Sequence, residues 1–189
     1  GDVYAFEEVR EDVYDFDQWN SKYWNRLRVF LEETSKRDII VQLTLWDHFD
    51  LHDKHPWVSN TNLEPGLVED DDDFYGGSVY QNNKEVLAYQ RRYIDKLLSV
   101  TLQYGNVLYN INNEGSERTE WDNYWASYIT EQAEEQGREI YVTSMKFDPS
   151  GSVRHAMTFR DLYSYAEISQ NNQDSRGGRG PAHYKNILN

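Results

Sequence analysis

The chain has 189 residues, with 33 Asp and Glu against 19 Lys and Arg for a formal charge of -14, no Cys, and an aromatic share of 15% carried by six Trp, fifteen Tyr and seven Phe. So acidic a chain repels a phosphate backbone, which excludes a nucleic-acid partner; the lack of Cys excludes disulfides, thiol catalysis and Cys-ligated zinc; and no apolar run approaches the about 20 residues that cross a bilayer, which excludes a membrane-spanning role. The length suits one globular domain, and the aromatic content predicts a real core rather than disorder.

An early strand is predicted at Val3 to Phe6. From about Asp17 to Lys36, Trp19, Tyr23, Leu27, Phe30 and Leu31 recur at helical spacing, and the apolar run Ile39 to Trp46 follows as a buried strand. A second helix begins near Asn83, carries Val86, Leu87, Tyr93, Ile94, Leu97, Leu98 and Leu102 on one stripe, stops at Gly105, and leads into a strand from Val107 to Ile111. A third starts with Thr119 as its N-cap and Asp122 in the first turn, runs through Trp121, Trp125, Tyr128, Ile129 and Ala133, stops at Gly137, and leads into Ile140 to Ser144. A last strand is predicted at Tyr165 to Ser169. The two helix-to-strand junctions EETSKRDIIV and EEQGREIYV resemble each other. Strands that are apolar at consecutive positions, alternating with helices, predict an α/β fold built of βα units on a parallel sheet. Residues 47–83 form a long insertion between the first such strand and the next helix, of the kind that carries function in a compact domain.

In parallel α/β folds ligands gather at the carboxyl ends of strands, so the residues after each apolar run are the candidates. They are Trp46, Asp47, His48, Asp50 and His52; Asn112, Asn113, Glu114 and Ser116; Met145, Lys146 and Asp148; and Gln170, Asn171 and Asn172. No Gly-rich phosphate loop is among them. A carboxyl group walled by Trp and Tyr at such a strand end is partly desolvated, which raises its pKa and lets it hold a proton near neutral pH; Glu114 fits that role.

The segment NVLYNINNEGS resembles the fourth strand of clan A glycoside hydrolases, the (β/α)8 retaining enzymes that include cellulases and mannanases of the family 5 type, in which an Asn-Glu pair closes this strand. DIIVQLTLWDHFD looks like the third strand of that clan and YQRRYIDKLLSVTLQYG like the helix feeding the fourth, so the likeness extends from about residue 3 to 172. The resemblance implies a TIM-type parallel (β/α) barrel, a single truncated domain over 1–189 holding about strands two to six, with the 47–83 insertion on the active-site face. It implies a retaining glycosidase acting on β-linked poly- or oligosaccharide, with Glu114 as general acid/base and Asn113 on the sugar 2-hydroxyl. Retention needs a second carboxylate about 5–5.5 Å away, which in the clan comes from strand seven and is missing here; Asp47 and Glu167 are the in-chain substitutes. Trp46, Asp47, His48, Trp57, Lys146, Gln170 and Asn171 are the expected substrate contacts, with no cofactor and no metal.

Blander readings stand beside these. Glu114 can simply cap a turn, and the barrel can be a non-catalytic carbohydrate-binding remnant, or a structural piece completed by a missing C-terminal segment or by a second copy in a homo-oligomer. WDHFDLHDKH offers His and carboxylate ligands to a metal, but its spacing fits no standard motif. The acidic run Glu69 to Asp73 could hold calcium, yet lacks the alternation of an EF-hand and reads better as a solvated loop. Trp57, Tyr75 and Tyr80 either stack on sugar rings or pin the insertion down, and Trp19, Trp24, Trp121 and Trp125 are core candidates. Location stays open; polysaccharide degradation suits a secreted or periplasmic protein, and no leader is visible in GDVYAFEEVRED.

Overall fold

The computed structural model describes residues 3–47, 55–58, 60–75, 84–115, 119–147 and 149–168. The chain opens with an antiparallel hairpin, β1 (Phe6–Arg10) and β2 (Val13–Trp19), which turns at Asp12 with a φ of 55°. Only Phe6 of β1 is buried, whereas β2 buries Val13, Tyr14 and Phe16. The strand expected at Val3 to Phe6 is therefore displaced towards Arg10, and β2 takes the residues Asp17 to Trp19 that helical spacing had assigned to a helix. The helix starts instead where Asn20 caps it, its side-chain oxygen accepting the Lys22 N–H at 3.0 Å.

That helix, α1 (Ser21–Ser35), leads into β3 (Val41–Asp47); α2 (Asp71–Tyr75), α3 (Lys84–Thr101), β4 (Val107–Asn113), α4 (Thr119–Glu135), β5 (Tyr141–Thr143) and α5 (Pro149–Thr158) follow. β3, β4 and β5 form a parallel sheet in that order, in register from Val41↔Val107 to Asp47↔Asn113 and from Leu108↔Tyr141 to Asn110↔Thr143. Val41 and Leu45 are buried and Leu43 packs on the core, while Gln42 and Thr44, on the opposite face by the period of two, are exposed. The helices thus load one face of the sheet. The core between them holds Leu31 of α1, Ile94 and Leu98 of α3, Ile111 of β4, and Trp125 and Ile129 of α4, all essentially inaccessible; full burial of such side chains stabilises by about 1.5–3 kcal/mol each.

The likeness of the two helix-to-strand junctions has a structural counterpart. α1 ends with Asp38 in the left-handed region and Ile39 N–H bonded to the Thr34 carbonyl; α4 ends with Gly137 at φ 66° and Arg138 N–H bonded to the Ala133 carbonyl. Both are the same C-terminal cap, with Asp taking in α1 the position that Gly takes in α4.

The mixed α/β class with a parallel sheet is present, but the barrel is not. The described residues form a three-stranded parallel sheet and a separate two-stranded antiparallel one, with no closed barrel among them. The strand expected at Tyr165 to Ser169 does not form over the part described. Residues 164–167 do lie along β5, but of their four bonds to it only Ser164 N–H to the Val142 carbonyl joins main chain to main chain; the Ser164 and Thr143 hydroxyls make the other three. Side-chain oxygens thereby replace a backbone ladder. No described helix is long and apolar enough to cross a membrane.

Candidate functional site

β3 and β4 end side by side, and the register pairs Asp47 with Asn113. The Asn113 side-chain amide donates to both carboxylate oxygens of Asp47, at 3.2 and 3.1 Å. The next residue, Glu114, is half-buried and held at a φ of 53°, a left-handed conformation that costs a non-glycine residue about 1–2 kcal/mol. Gly115 follows because nothing larger fits: a Cβ there would lie 2.4 Å from the Asn112 amide nitrogen. The strand end is thus a tight corner that presents Glu114 beside an Asn-bridged Asp47.

A cavity of about 340 Å³ opens along β3, within the about 300–1,000 Å³ usual for small-molecule sites. Phe6, Trp46, Trp57 and Phe74, all buried, make its floor together with Tyr93, and the more exposed Tyr4, Tyr23, Thr44, Asp47 and His55 make its rim. The floor is cross-braced by its own ring contacts: Trp46 lies edge-on to Trp57 and Phe74 at 6.2 and 5.4 Å, and Trp57 packs on Phe16 at 4.6 Å. The Trp46 indole N–H is shielded from solvent and has no hydrogen-bond partner among the described residues, and a buried donor left so costs about 1–3 kcal/mol.

Among the described rim residues Asp47 is the acidic one. Burial pushes His55 down to about 4, against the raising influence of the Asp47 charge. Its Nδ1 accepts the Trp57 N–H at 3.4 Å, which requires that nitrogen to be unprotonated. Burial also raises Tyr23 and, more strongly, Tyr93, whose hydroxyls bond to one another. Among the described residues no Lys or Arg lines the cavity.

A second polar cluster lies behind the ends of β4 and β5. Asp122, in the first turn of α4 and fully buried, accepts bonds from the Lys146 ammonium and, at 2.7 Å, from the Ser144 hydroxyl. Burial raises the Asp122 carboxyl, with the Lys146 charge opposing. Ser152 accepts the Lys146 N–H at 2.8 Å, and the buried His155, pushed down to about 4 by burial and then by the Lys146 charge, stacks on Phe159 and Tyr163.

The structure therefore places Trp46, Asp47 and Trp57 on the cavity, Asn113 against Asp47 with Glu114 next to it in the chain and off the cavity lining, and Lys146 in the buried cluster instead. His48, Gln170 and Asn171 lie outside the described residues, as do Tyr80 and much of WDHFDLHDKH. Glu167 sits beside Thr143 of β5. Trp24, Trp121, Trp125 and Tyr75 are core, and Trp19 is half-buried. Asp70 and Asp73 accept the backbone N–H groups of Asp73 and Glu69 around α2, and no trio of potential metal ligands occurs among the described residues. Tyr4, Tyr23 and His55 of the rim were not singled out as sugar contacts. Tyr93 was legible only as part of a helix stripe and His55 only inside a possible metal cluster, because what unites them is a cavity between elements far apart in sequence.

No protein-family model, no curated protein and no solved structure matches the chain. This overturns the resemblance to clan A glycoside hydrolases: with no match of any kind and no closed barrel among the described residues, an Asn-Glu pair at a strand end is too short a signal to place the chain in that family.

Proposed function

We propose that the protein is a glycan-directed hydrolase that seats a pyranose ring in the aromatic cavity and uses Glu114 as general acid/base on a β-glycosidic bond. The observation that carries this is a cavity floored by the rings of Phe6, Trp46, Trp57 and Phe74 whose rim bears the Asp47 carboxylate. A sugar ring suits such a lining: its C–H faces pack on aromatic rings, and a hydroxyl can donate to Asp47. Asn113 and Trp57 complete the contacts.

In the reaction the Glu114 carboxyl gives its proton to the glycosidic oxygen as the C–O bond breaks and the alcohol leaves, the oxygen of an incoming water bonds to the anomeric carbon, and the Glu114 carboxylate takes the proton that this water releases. Glu114 is the one residue given a catalytic role; Asp47, bonded to Asn113, serves as a hydroxyl contact. The β3-α3-β4-α4-β5 alternation supports reading the sheet as an arc of (β/α) units with the site at its carboxyl end. A secreted or periplasmic location fits this reading.

The test is a panel of β-linked gluco-, manno- and xylo-oligosaccharides, with binding followed by calorimetry and cleavage by product analysis. Glu114→Gln is expected to keep binding and lose cleavage by at least about 100-fold; unchanged cleavage in that variant, or no binding across the panel, sinks the proposal. Glu114 does not itself line the cavity, and this favours one second reading: a non-catalytic carbohydrate-binding domain, which predicts binding without product in the unmodified protein as well.

A further inference from the structure

Where the rim of the cavity meets its floor, two phenols lie together. Tyr23, in the first turn of α1, and Tyr93, in the middle of α3, both line the cavity and bond to one another through their hydroxyls. Trp46 braces the Tyr93 ring at 5.3 Å and Phe6 and Trp24 do so at 6.2 Å, while Tyr23 lies edge-on to Trp24 at 5.0 Å. The elements that supply these rings, α1, α3, β1 and β3, all lie among the described residues. Other polar groups of the lining are engaged: Asn113 donates to Asp47, and the Trp57 N–H occupies Nδ1 of His55. Among the described residues neither phenol hydroxyl bonds to a third group. Two hydroxyls bonded to one another use one proton between them, so the pair keeps one O–H to donate and lone pairs to accept, whichever phenol is the donor. Burial disfavours ionisation of both, so the pair is neutral and its action does not depend on the charge of the rim. The oxygens of an O–H···O bond lie about 2.7–2.8 Å apart, close to the separation of hydroxyl oxygens on neighbouring carbons of a pyranose ring.

We propose that the Tyr23–Tyr93 pair is the specificity element of the cavity: it reads a vicinal diol of the seated pyranose, donating its remaining O–H to one ring hydroxyl and accepting from the neighbouring one. The inference rests on the carbohydrate reading of the cavity and adds to it two residues and the ligand feature they select. Aromatic rings alone hold any sugar with an apolar face. The phenol pair makes the cavity distinguish a sugar that has both neighbouring hydroxyls from one that lacks either, because a donor or acceptor of the pair is then left facing nothing that can bond to it.

The experiment uses the full chain carrying Glu114→Gln, so that nothing is cleaved. Calorimetry identifies which of the β-linked gluco-, manno- and xylo-oligosaccharides binds, and that sugar, as its methyl β-glycoside, is compared with derivatives that each lack one ring hydroxyl. Removing either of two neighbouring hydroxyls is expected to weaken binding about tenfold. Adding Tyr23→Phe with Tyr93→Phe, which keeps both rings and leaves neither phenol without its partner, is expected to weaken the intact sugar about tenfold and to shrink both deoxy penalties below about twofold. Should the double variant fail to fold, Tyr23→Phe alone is used, and the penalty at one or both of the two hydroxyls is expected to fall below about twofold. Sensitivity at fewer than two neighbouring hydroxyls overturns the inference and leaves the carbohydrate reading standing. Deoxy penalties that persist unchanged in the variants also overturn it, since the diol is then read elsewhere. Binding of none of the sugars overturns the inference and the carbohydrate reading together.

Discussion

At the scale of single residues, the corner at Glu114 and Gly115 sets two opposite demands on adjacent positions. Glu114 occupies a left-handed conformation that glycine adopts freely, so its retention there costs stability. Gly115 occupies a site where a side chain collides with the buried side chain of Asn112. Glu114→Gly is therefore expected to stabilise the fold by about 1 kcal/mol, while Gly115→Ala should destabilise it by about 1–3 kcal/mol through overpacking. Urea unfolding of the two variants checks the pair. If both lower stability, the left-handed backbone is not a cost carried at Glu114. Combining Gly115→Ala with Asn112→Ala should recover part of the loss, because the collision requires both side chains.

At the scale of elements, the buried Asp122–Lys146 pair ties the first turn of α4 to the segment leaving β5. Removing one partner leaves an uncompensated charge out of water, so Lys146→Met alone should destabilise by about 3–5 kcal/mol, whereas Asp122→Leu with Lys146→Met should restore most of it. Thermal melts of the single and double variants decide this, and a double variant as unstable as the single one would mean that the pair is needed for more than its own neutralisation. Neither partner was marked by the sequence as a core ion pair. Asp122 read as a helix-start residue, which it is, and Lys146 read as a strand-end substrate contact. What was legible were the periodic elements: α3 and α4 follow their apolar stripes and α1 does so in part, with Phe30 of its stripe exposed, while β4, β5 and β3 fall on their apolar runs except that Ile39 and Ile40 precede β3 and are exposed, because those signals are local. The hairpin β1–β2 escaped because only Phe6 of its first strand is buried, so there was no face to see. The strand expected at Tyr165 to Ser169 does not form over its described part, because hydroxyl bonds to β5 stand in for a backbone ladder. Of the site, the Asn113–Asp47 contact could be expected from two strand ends, but the cavity is closed by residues from the hairpin, α1, the insertion and α3, a coincidence in space that spacing along the chain does not encode.

At the scale of the whole molecule, two histidines far apart in the chain are held neutral, His55 in the insertion and His155 on α5, each pushed from 6.5 to about 4 mainly by burial. In the unfolded chain they titrate near 6.5, so between about pH 6.5 and 4 the unfolded state binds more protons than the folded one, and stability falls as pH falls through that window. For His55 alone the loss is about 1–3 kcal/mol by pH 4. Two effects act in the other direction. Protonation relieves the self-repulsion of a chain at -14, and the Asp122 carboxyl, raised by burial, takes up its proton more readily when folded than when unfolded. The raw pH dependence therefore mixes signs, and the histidine share emerges only by difference. Urea unfolding at pH 7 and at pH 4.5 should show a smaller acid loss in His55→Gln and in His155→Gln than in the unmodified protein, with the two reductions adding because the residues share no partner. Substituted proteins that lose as much stability on acidification as the parent would show that neither imidazole is held neutral by the fold.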